Sequence, residues 1–394
     1  MSQSSGFAQN THFIGLVRDL TYKGAGVVDH PDGRVYFVEG AWPGDEAEFE
    51  ITKTDKRFGH AKVVKLIKPS SDRVSAACPH HGFKDADCGG CPWMMVNYEA
   101  QISAKIKILI NQLARAKVLF EESTLKPIFT SKQFGYRNRA QLKTNGEVIG
   151  FVSRGSKSIA PINDCVVLTD NCREKLKALK SALPNKYWLP DTKYLWNFIE
   201  VSDLSPIEDS KLNHRLPFMQ GNSSANAQMQ DWVAKKTVAL NFEDTGDISC
   251  LELFAGSGNF TSVLSQHLPA RCRITATEID QRAIDSLNGL NLKNVTGVAL
   301  DIYSSDSLRQ LKSRASAPQL LFLDPPREGF ELIAPFLKEF PTLRHILYVS
   351  CDPSSLARDL KAVQISGFEV KEIQPVDQFP NTSHLETLCL LSKP

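Results

Sequence analysis

The segment Leu251-Glu252-Leu253-Phe254-Ala255-Gly256-Ser257-Gly258-Asn259-Phe260-Thr261 constrains the fold most, because it runs from an apolar strand through a glycine turn into a helix. Glycines at 256 and 258 can take positive φ at little cost and let the backbone approach a bound ligand closely. Thr261 stands where a third glycine would mark a dinucleotide fold, so pyrophosphate binding of that kind is disfavoured. The same strand-and-helix alternation extends on both sides. A helix runs from Gln228 to Leu240, apolar strands cover 250–254, 273–277, 320–323 and 345–349, and helices start near Phe260, Gln281 and Ser354. Strands alternating with amphipathic helices predict an α/β fold built on a doubly wound parallel sheet.

The front of the chain reads differently. Short segments rich in Val, Ile and Phe at 13–16, 35–39, 47–54 and 61–67 are separated by turn signals such as Lys23-Gly24-Ala25-Gly26 and His30-Pro31-Asp32-Gly33. They predict a small all-β barrel of the oligonucleotide-binding kind. Between barrel and sheet lies a mixed α+β region with a helix over 98–119, whose topology the sequence does not reveal. The expected units are 1–70, 71–217 and 218–394.

The carboxyl edge of an open α/β sheet is where ligands bind, and several reactive side chains are expected there. Glu278, after one strand, suits ribose hydroxyls, and Asp301, after another, suits an adenine amino group. Asp324 follows a buried strand and is stiffened by Pro325 and Pro326. Cys351 follows the next strand, just before a helix near Ser354, where exposed amide dipoles would favour the thiolate. Gln220 and Asn222 offer amides suited to a base edge, and Glu386 places a carboxylate before the last strand, 387–391.

Taken in order, Gln220, the turn Phe254 to Thr261, Asp324 to Arg327, Ser350 to Pro353 and His384 to Glu386 resemble the motifs of RNA 5-methyluridine methyltransferases over nearly the whole chain. The front barrel resembles the TRAM domain of that family, and Tyr136-Arg137-Asn138 resembles the opening of its middle domain. The family more often has valine where Gly221 stands. The resemblance implies Cys351 as nucleophile, Glu386 as general base, and Asp324 and Gln220 as uracil-positioning groups. It implies S-adenosylmethionine as cofactor, held by Gln220, Phe254, Gly256, Gly258, Asn259, Glu278, Asp301 and Asp324. Independent chemistry agrees: uracil carbon 5 is a poor nucleophile until a thiolate adds at carbon 6, and a base must then remove its proton.

Nine cysteines, an odd number spread unevenly over a long chain, fit a disulfide framework poorly, so metal ligation or catalysis fits better. Cys78, Cys88 and Cys91, with Cys165 further on, make a four-thiol set suited to zinc or an iron–sulfur cluster. Cys88-Gly89-Gly90-Cys91 followed by Tyr98 and Gln101 resembles the 4Fe-4S segment of the ribosomal RNA branch of the family, whose first interval is commonly shorter. Cys172, Cys250, Cys272 and Cys389 read as packing residues.

Hydrophobic residues at 42% and charged residues at 23% describe an ordinary globular chain rather than a disordered one. No apolar run suits a membrane span or export signal, so a cytoplasmic location is expected, and a monomer. Net charge is only +2, yet residues 101–144 carry Lys105, Lys107, Arg115, Lys117, Lys126, Lys132, Arg137, Arg139 and Lys143 against Glu121 and Glu122. Such a patch can bind an RNA backbone. The expected substrate is 23S ribosomal RNA. The alternatives are the same reaction on tRNA uridine, a cytosine enzyme, or a non-enzymatic iron–sulfur RNA-binding protein.

Overall fold

The computed structural model describes residues 11–154, 156–216, 219–240, 242, 248–315 and 317–394. The polar start at 1–10 and the unit boundary at Pro217 lie outside them. At the front, β1 (His12–Leu20), β2 (Gly26–Asp29), β3 (Val35–Glu39), β4 (Glu46–Thr54) and β5 (Phe58–Lys68) close into a barrel in the order β1-β2-β3-β5-β4. Alternate residues point inward, so Phe13, Val17, Val28, Tyr36, Val38 and Phe49 fill it. The sequence pattern had missed β2, whose Gly-Val-Val-Asp is too short to show alternation.

Helix α1 (Tyr98–Arg115) starts at Asn97, whose side chain accepts from the Ala100 amide. It stops four residues earlier than expected. Lys117 takes φ of 56°, the Lys117 amide donates to Ala114 and the Val118 amide to Leu113, which is a Schellman closure made without glycine. Next, β6 (Arg139–Thr144), β7 (Ile149–Val152), β8 (Ile159–Pro161) and β9 (Asn197–Ser202) form an antiparallel sheet ordered β8-β7-β6-β9. Helix α2 (Asp170–Ser181) covers it through Cys172, Leu176 and Leu179.

Helix α3 (Ser223–Ala239) leads into the large sheet. Its strands are β10 (Ile248–Leu253), β11 (Cys272–Glu278), β12 (Val295–Ala299), β13 (Leu320–Leu323), β14 (His345–Ser350), β15 (Glu369–Val376) and β16 (Glu386–Ser392). Helices α4 (Thr261–His267), α5 (Gln281–Asn288), α6 (Ser307–Arg314), α7 (Ile333–Glu339) and α8 (Pro353–Ile365) connect them. The order is β12-β11-β10-β13-β14-β16-β15. The chain winds outward from β10 to β12, then returns to β13, so the ends of β10 and β13 flank the switch point where a crevice opens.

The expected all-parallel sheet needs correction. The first five strands are parallel, but β16 is antiparallel to both β14 and β15. An antiparallel strand begins where its parallel neighbour ends. The start of β16 therefore lies at the carboxyl edge, with Thr387 opposite Ser350.

The basic patch is smaller than the sequence suggested. Lys105 is fully buried against Asp377, Lys107 pairs with Asp19 at 2.8 Å, and Arg139 pairs with Glu200 at 2.6 Å. Among the described residues, no helix is long and apolar enough to cross a membrane.

Candidate active site

Three side chains from three strand ends meet at the carboxyl edge of the sheet. Cys351 follows β14, Asp324 follows β13, and Glu386 opens β16. The residues around Cys351 explain its turn. Asp352 caps α8 by accepting from the Ser354 and Ser355 amides at 2.8 and 3.0 Å, Pro353 takes the first helical position, and the Ser350 hydroxyl donates to the Asp352 carbonyl.

That cap also overturns one expectation. The first amides of α8 serve Asp352, while burial, followed by the nearby carboxylates of Glu386 and Asp324, pushes the Cys351 thiol up to about 12 against a smaller opposing pull from Arg327. Burial and the neighbouring carboxylates thus oppose the helix dipole and favour the protonated thiol. Burial raises Asp324 to about 7, and burial with Asp324 beside it raises Glu386 to about 8. Desolvation thus outweighs the helix dipole, and the site is built to hold protons near neutrality.

The glycine turn lies across the switch point. Phe254 takes φ of 63°, unusual for a side chain of that size, and packs edge-on against Phe330. Gly256 has φ of 54° and faces open space, where a Cβ would meet nothing within 4 Å. Glu278 accepts from the Gly256 amide at 3.1 Å and from the Ile279 amide at 2.7 Å, tying the ends of β10 and β11 together. Asp301 is exposed beyond β12, accepting from Tyr303. Two buried polar atoms at the turn, Ser257 Oγ and Glu252 Oε2, have no hydrogen-bond partner. Open space, left-handed backbone, an acid at the neighbouring strand end and unpartnered polar atoms fit a ligand with ribose hydroxyls and a polar tail, as S-adenosylmethionine has.

Two amide residues separate into different roles. Gln220 is half-buried, and its Oε1 accepts from Gln378 Nε2 at 2.6 Å, leaving the amide nitrogen turned to donate elsewhere. Asn222 is instead fully buried: it caps α3 at the Ala225 amide and donates to the Gln378 carbonyl at 3.0 Å. It therefore cannot read a base. Asn259 is also committed, exchanging amide hydrogen bonds with Asn226 and accepting from Gln230 at 3.1 Å. It fixes α3 to the glycine turn, so its side chain is a clamp on the turn in this arrangement.

A family model described as tRNA (Uracil-5-)-methyltransferase matches residues 191–394, and the TRAM domain model matches 16–64. An uncharacterized RNA methyltransferase of Nitrosomonas europaea is 39% identical over 97% of this chain and 97% of its own length. The chain belongs to the RNA uracil-5 methyltransferase family. The 23S rRNA (uracil(1939)-C(5))-methyltransferase RlmD of Marinomonas sp. is 32% identical over 96% of this chain and 94% of its own. The tRNA (uracil-54, C5)-methyltransferase of Pyrococcus abyssi, solved with S-adenosyl-L-homocysteine, shares the fold: TM-score 0.66 at 20% identity, covering 96% of this chain and 99% of that one. The methyltransferase fold and the front TRAM barrel expected from sequence are thereby established.

Sequence reasoning assigned no role in this site to several groups around it. Glu252, buried on β10 and raised to about 8 by burial with Asp324 nearby, was hidden inside an apolar strand, although an acid in such a strand is itself a signal. Tyr98, Lys105 and Asp377 form a buried network beneath residues 377–386, the segment that carries His384 and Glu386. Arg327 and His384 line the cavity above Cys351.

Cys78, Cys88, Cys91 and Cys165 are brought together, each half-buried. Burial raises Cys91 to about 12 and Cys165 to about 11, and the remaining causes include the other thiols of the set. Cys78, Cys91 and Cys165 pack with Met94, Tyr136 and Val167. Among the described residues, no three His, Cys, Asp or Glu side chains are arranged around a single metal ion. Cys172, Cys250, Cys272 and Cys389 are fully buried in hydrophobic cores, as their packing role requires.

Proposed function

We propose that this chain methylates carbon 5 of a uridine in 23S ribosomal RNA. The observation that carries the reading is the antiparallel β16, which sets Glu386 at the sheet edge next to Cys351 and Asp324. S-adenosylmethionine, when bound at the glycine turn, supplies an electrophilic methyl group. Gln220 and Asp324 hold the uracil edge, Asp324 as the neutral acid donating a hydrogen bond to the oxygen where charge develops. Cys351 releases its thiol proton to solvent and adds to carbon 6 as the thiolate, which makes carbon 5 nucleophilic. After carbon 5 takes the methyl group, Glu386 removes the proton from carbon 5, and the carbon 6–sulfur bond breaks to return the thiolate. A base inside folded RNA has to be flipped out to enter this cavity. The near-full-length likeness to 23S rRNA enzymes supports the ribosomal target.

The 1–70 barrel, 71–217 middle unit and 218–394 catalytic unit act as one cytoplasmic monomer in this reading. Cys78, Cys88, Cys91 and Cys165 hold a 4Fe-4S cluster with a structural role, since methyl transfer moves no net electrons. The converging thiols support it, and stoichiometric zinc without iron in the purified protein would rule it out.

The test is incubation with labelled S-adenosylmethionine and separate ribosomal and transfer RNA pools, followed by nucleoside analysis. Label in 5-methyluridine of the large-subunit RNA is expected. Label in 5-methylcytidine, or in no RNA, refutes the reaction, and label confined to transfer RNA refutes the target. A 5-fluorouridine RNA is expected to trap a covalent adduct with the wild type and none with C351A.

A further inference from the structure

The cavity above Cys351, about 450 Å³, is walled by parts of the chain far apart in sequence. Tyr22 and Lys23 come from the first barrel turn, Arg154 from just beyond β7, and Arg327 from the loop after Asp324. The barrel turn is fixed there. Ser383 Oγ donates to the Lys23 carbonyl at 3.0 Å and Trp93 Nε1 to the Gly24 carbonyl at 3.1 Å. Gly24 has φ of 86°, and a Cβ on it would stand 2.6 Å from Ser383 Cβ. The barrel is therefore part of the catalytic cavity and not only a tether beside it.

The charges at this mouth are uneven. Asp352 is the acid on the wall, and its carboxylate is spent on the α8 amides. Among the described residues, Lys23 and Arg327 form no ion pair. Arg154 is held by Glu39 of β3, through Nε and through Nη2 at 3.0 Å, and both side chains are partly exposed at 29% and 54%. A flipped nucleotide brings a neutral base and two charged phosphates. The base can go down toward Cys351, whereas the phosphates stay where the cations of the cavity mouth, Lys23, Arg154 and Arg327, can meet them.

We infer that Lys23, Arg154 and Arg327 form a phosphate-binding rim that holds the RNA backbone on either side of the extruded uridine, with Glu39 occupying Arg154 until RNA displaces it. This rests on the RNA reading above and adds its backbone subsite. Each cation that meets a phosphate releases counterions, so removing one flattens the salt dependence of binding. Glu39 competes for Arg154, so removing it has the opposite sign on affinity.

The experiment uses the full chain with S-adenosylhomocysteine and a fluorescent single-stranded, uridine-containing RNA, with anisotropy read from 50 to 200 mM salt. K23Q and R154Q are each expected to reduce the slope of log affinity against log salt by about 0.7. E39Q is expected to tighten binding by up to about 5-fold, the range of an exposed ion pair. If the R154Q loss came from unpinning the barrel, E39Q would weaken binding too, which would overturn the rim. Unchanged slopes in both K23Q and R154Q would also overturn it. Nucleoside analysis separates this from the reaction itself: 5-methyluridine formed by a wild type whose rim variants bind normally sinks the rim alone. Rim effects without 5-methyluridine sink the assigned reaction and leave the rim standing.

Discussion

Lys105 lies at the centre of the support beneath the catalytic segment, and K105M tests that support directly. Lys105 and Asp377 have fully buried side chains in contact. Lys105 Nζ also donates to the Phe379 carbonyl at 3.1 Å, and Asp377 accepts from the Tyr98 hydroxyl at 2.7 Å. Methionine keeps the volume but leaves a buried carboxylate with a single neutral donor. Breaking a buried pair from one side costs about 3–5 kcal/mol. K105M/D377N removes both charges, and a neutral amide can keep the Tyr98 hydrogen bond, so the double variant should regain much of that loss, to about 1–2 kcal/mol. Urea unfolding read from tryptophan fluorescence gives the energies. Hydrogen exchange of the Asn381 amide, which donates to Gln101 Oε1 at 2.8 Å, reports the segment itself. The turnover number should fall with the loosened segment, because Glu386 follows five residues after Asn381. A K105M cost under about 1 kcal/mol, or a double variant costing the sum of the singles, would refute the argument that desolvated charge dominates here.

Other consequences are accessible to direct measurement. Glu386 and Asp324 have folded-state values raised to about 8 and about 7, so the folded chain keeps protons that the unfolded chain releases. Their contribution to stability therefore declines as pH rises from the ordinary carboxyl range to about 8, and melting curves should fall across that window. Turnover should follow a bell across the same window, because Glu386 must lose its proton to act as the base while Asp324 must keep its own to act as the donor; a flat profile would contradict the assigned roles. E252Q should flatten part of the stability decline, because Glu252 is raised to about 8 and its Oε2 is unpartnered. G256A imposes a left-handed conformation on a residue with a Cβ, costing about 1–2 kcal/mol, and should weaken S-adenosylhomocysteine in calorimetry even though the space beside it is open. C78S or C165S should lower iron content and leave the Cys351 adduct chemistry intact in protein that remains folded.

The strand positions around the chemistry were legible because each is announced locally. The β13 span was read correctly at both ends, and the expected starts of α5, β3 and β14 agree with the structure. Cys351 and Asp324 could be placed at the sheet edge because each directly follows an apolar strand. The misreadings share a cause. Asn222 looks like a ligand amide in sequence, but it is fully buried and consumed by a partner distant in the chain, Gln378. Lys105 looked like surface charge because helical periodicity does not reveal that Asp377 lies against it.

The sequence alone determined the α/β alternation, the front barrel, the glycine turn and the candidate reactive groups, since these depend on short-range pattern and on side-chain chemistry. Tertiary structure decided the direction of β16, the burial that favours the protonated forms of Cys351, Glu386 and Asp324, and the insertion of the barrel turn into the cavity above Cys351. Those properties depend on which distant segments exclude water and bring charges together. Desolvation and Coulomb interaction act through space, so local pattern does not encode them until the chain has closed on itself.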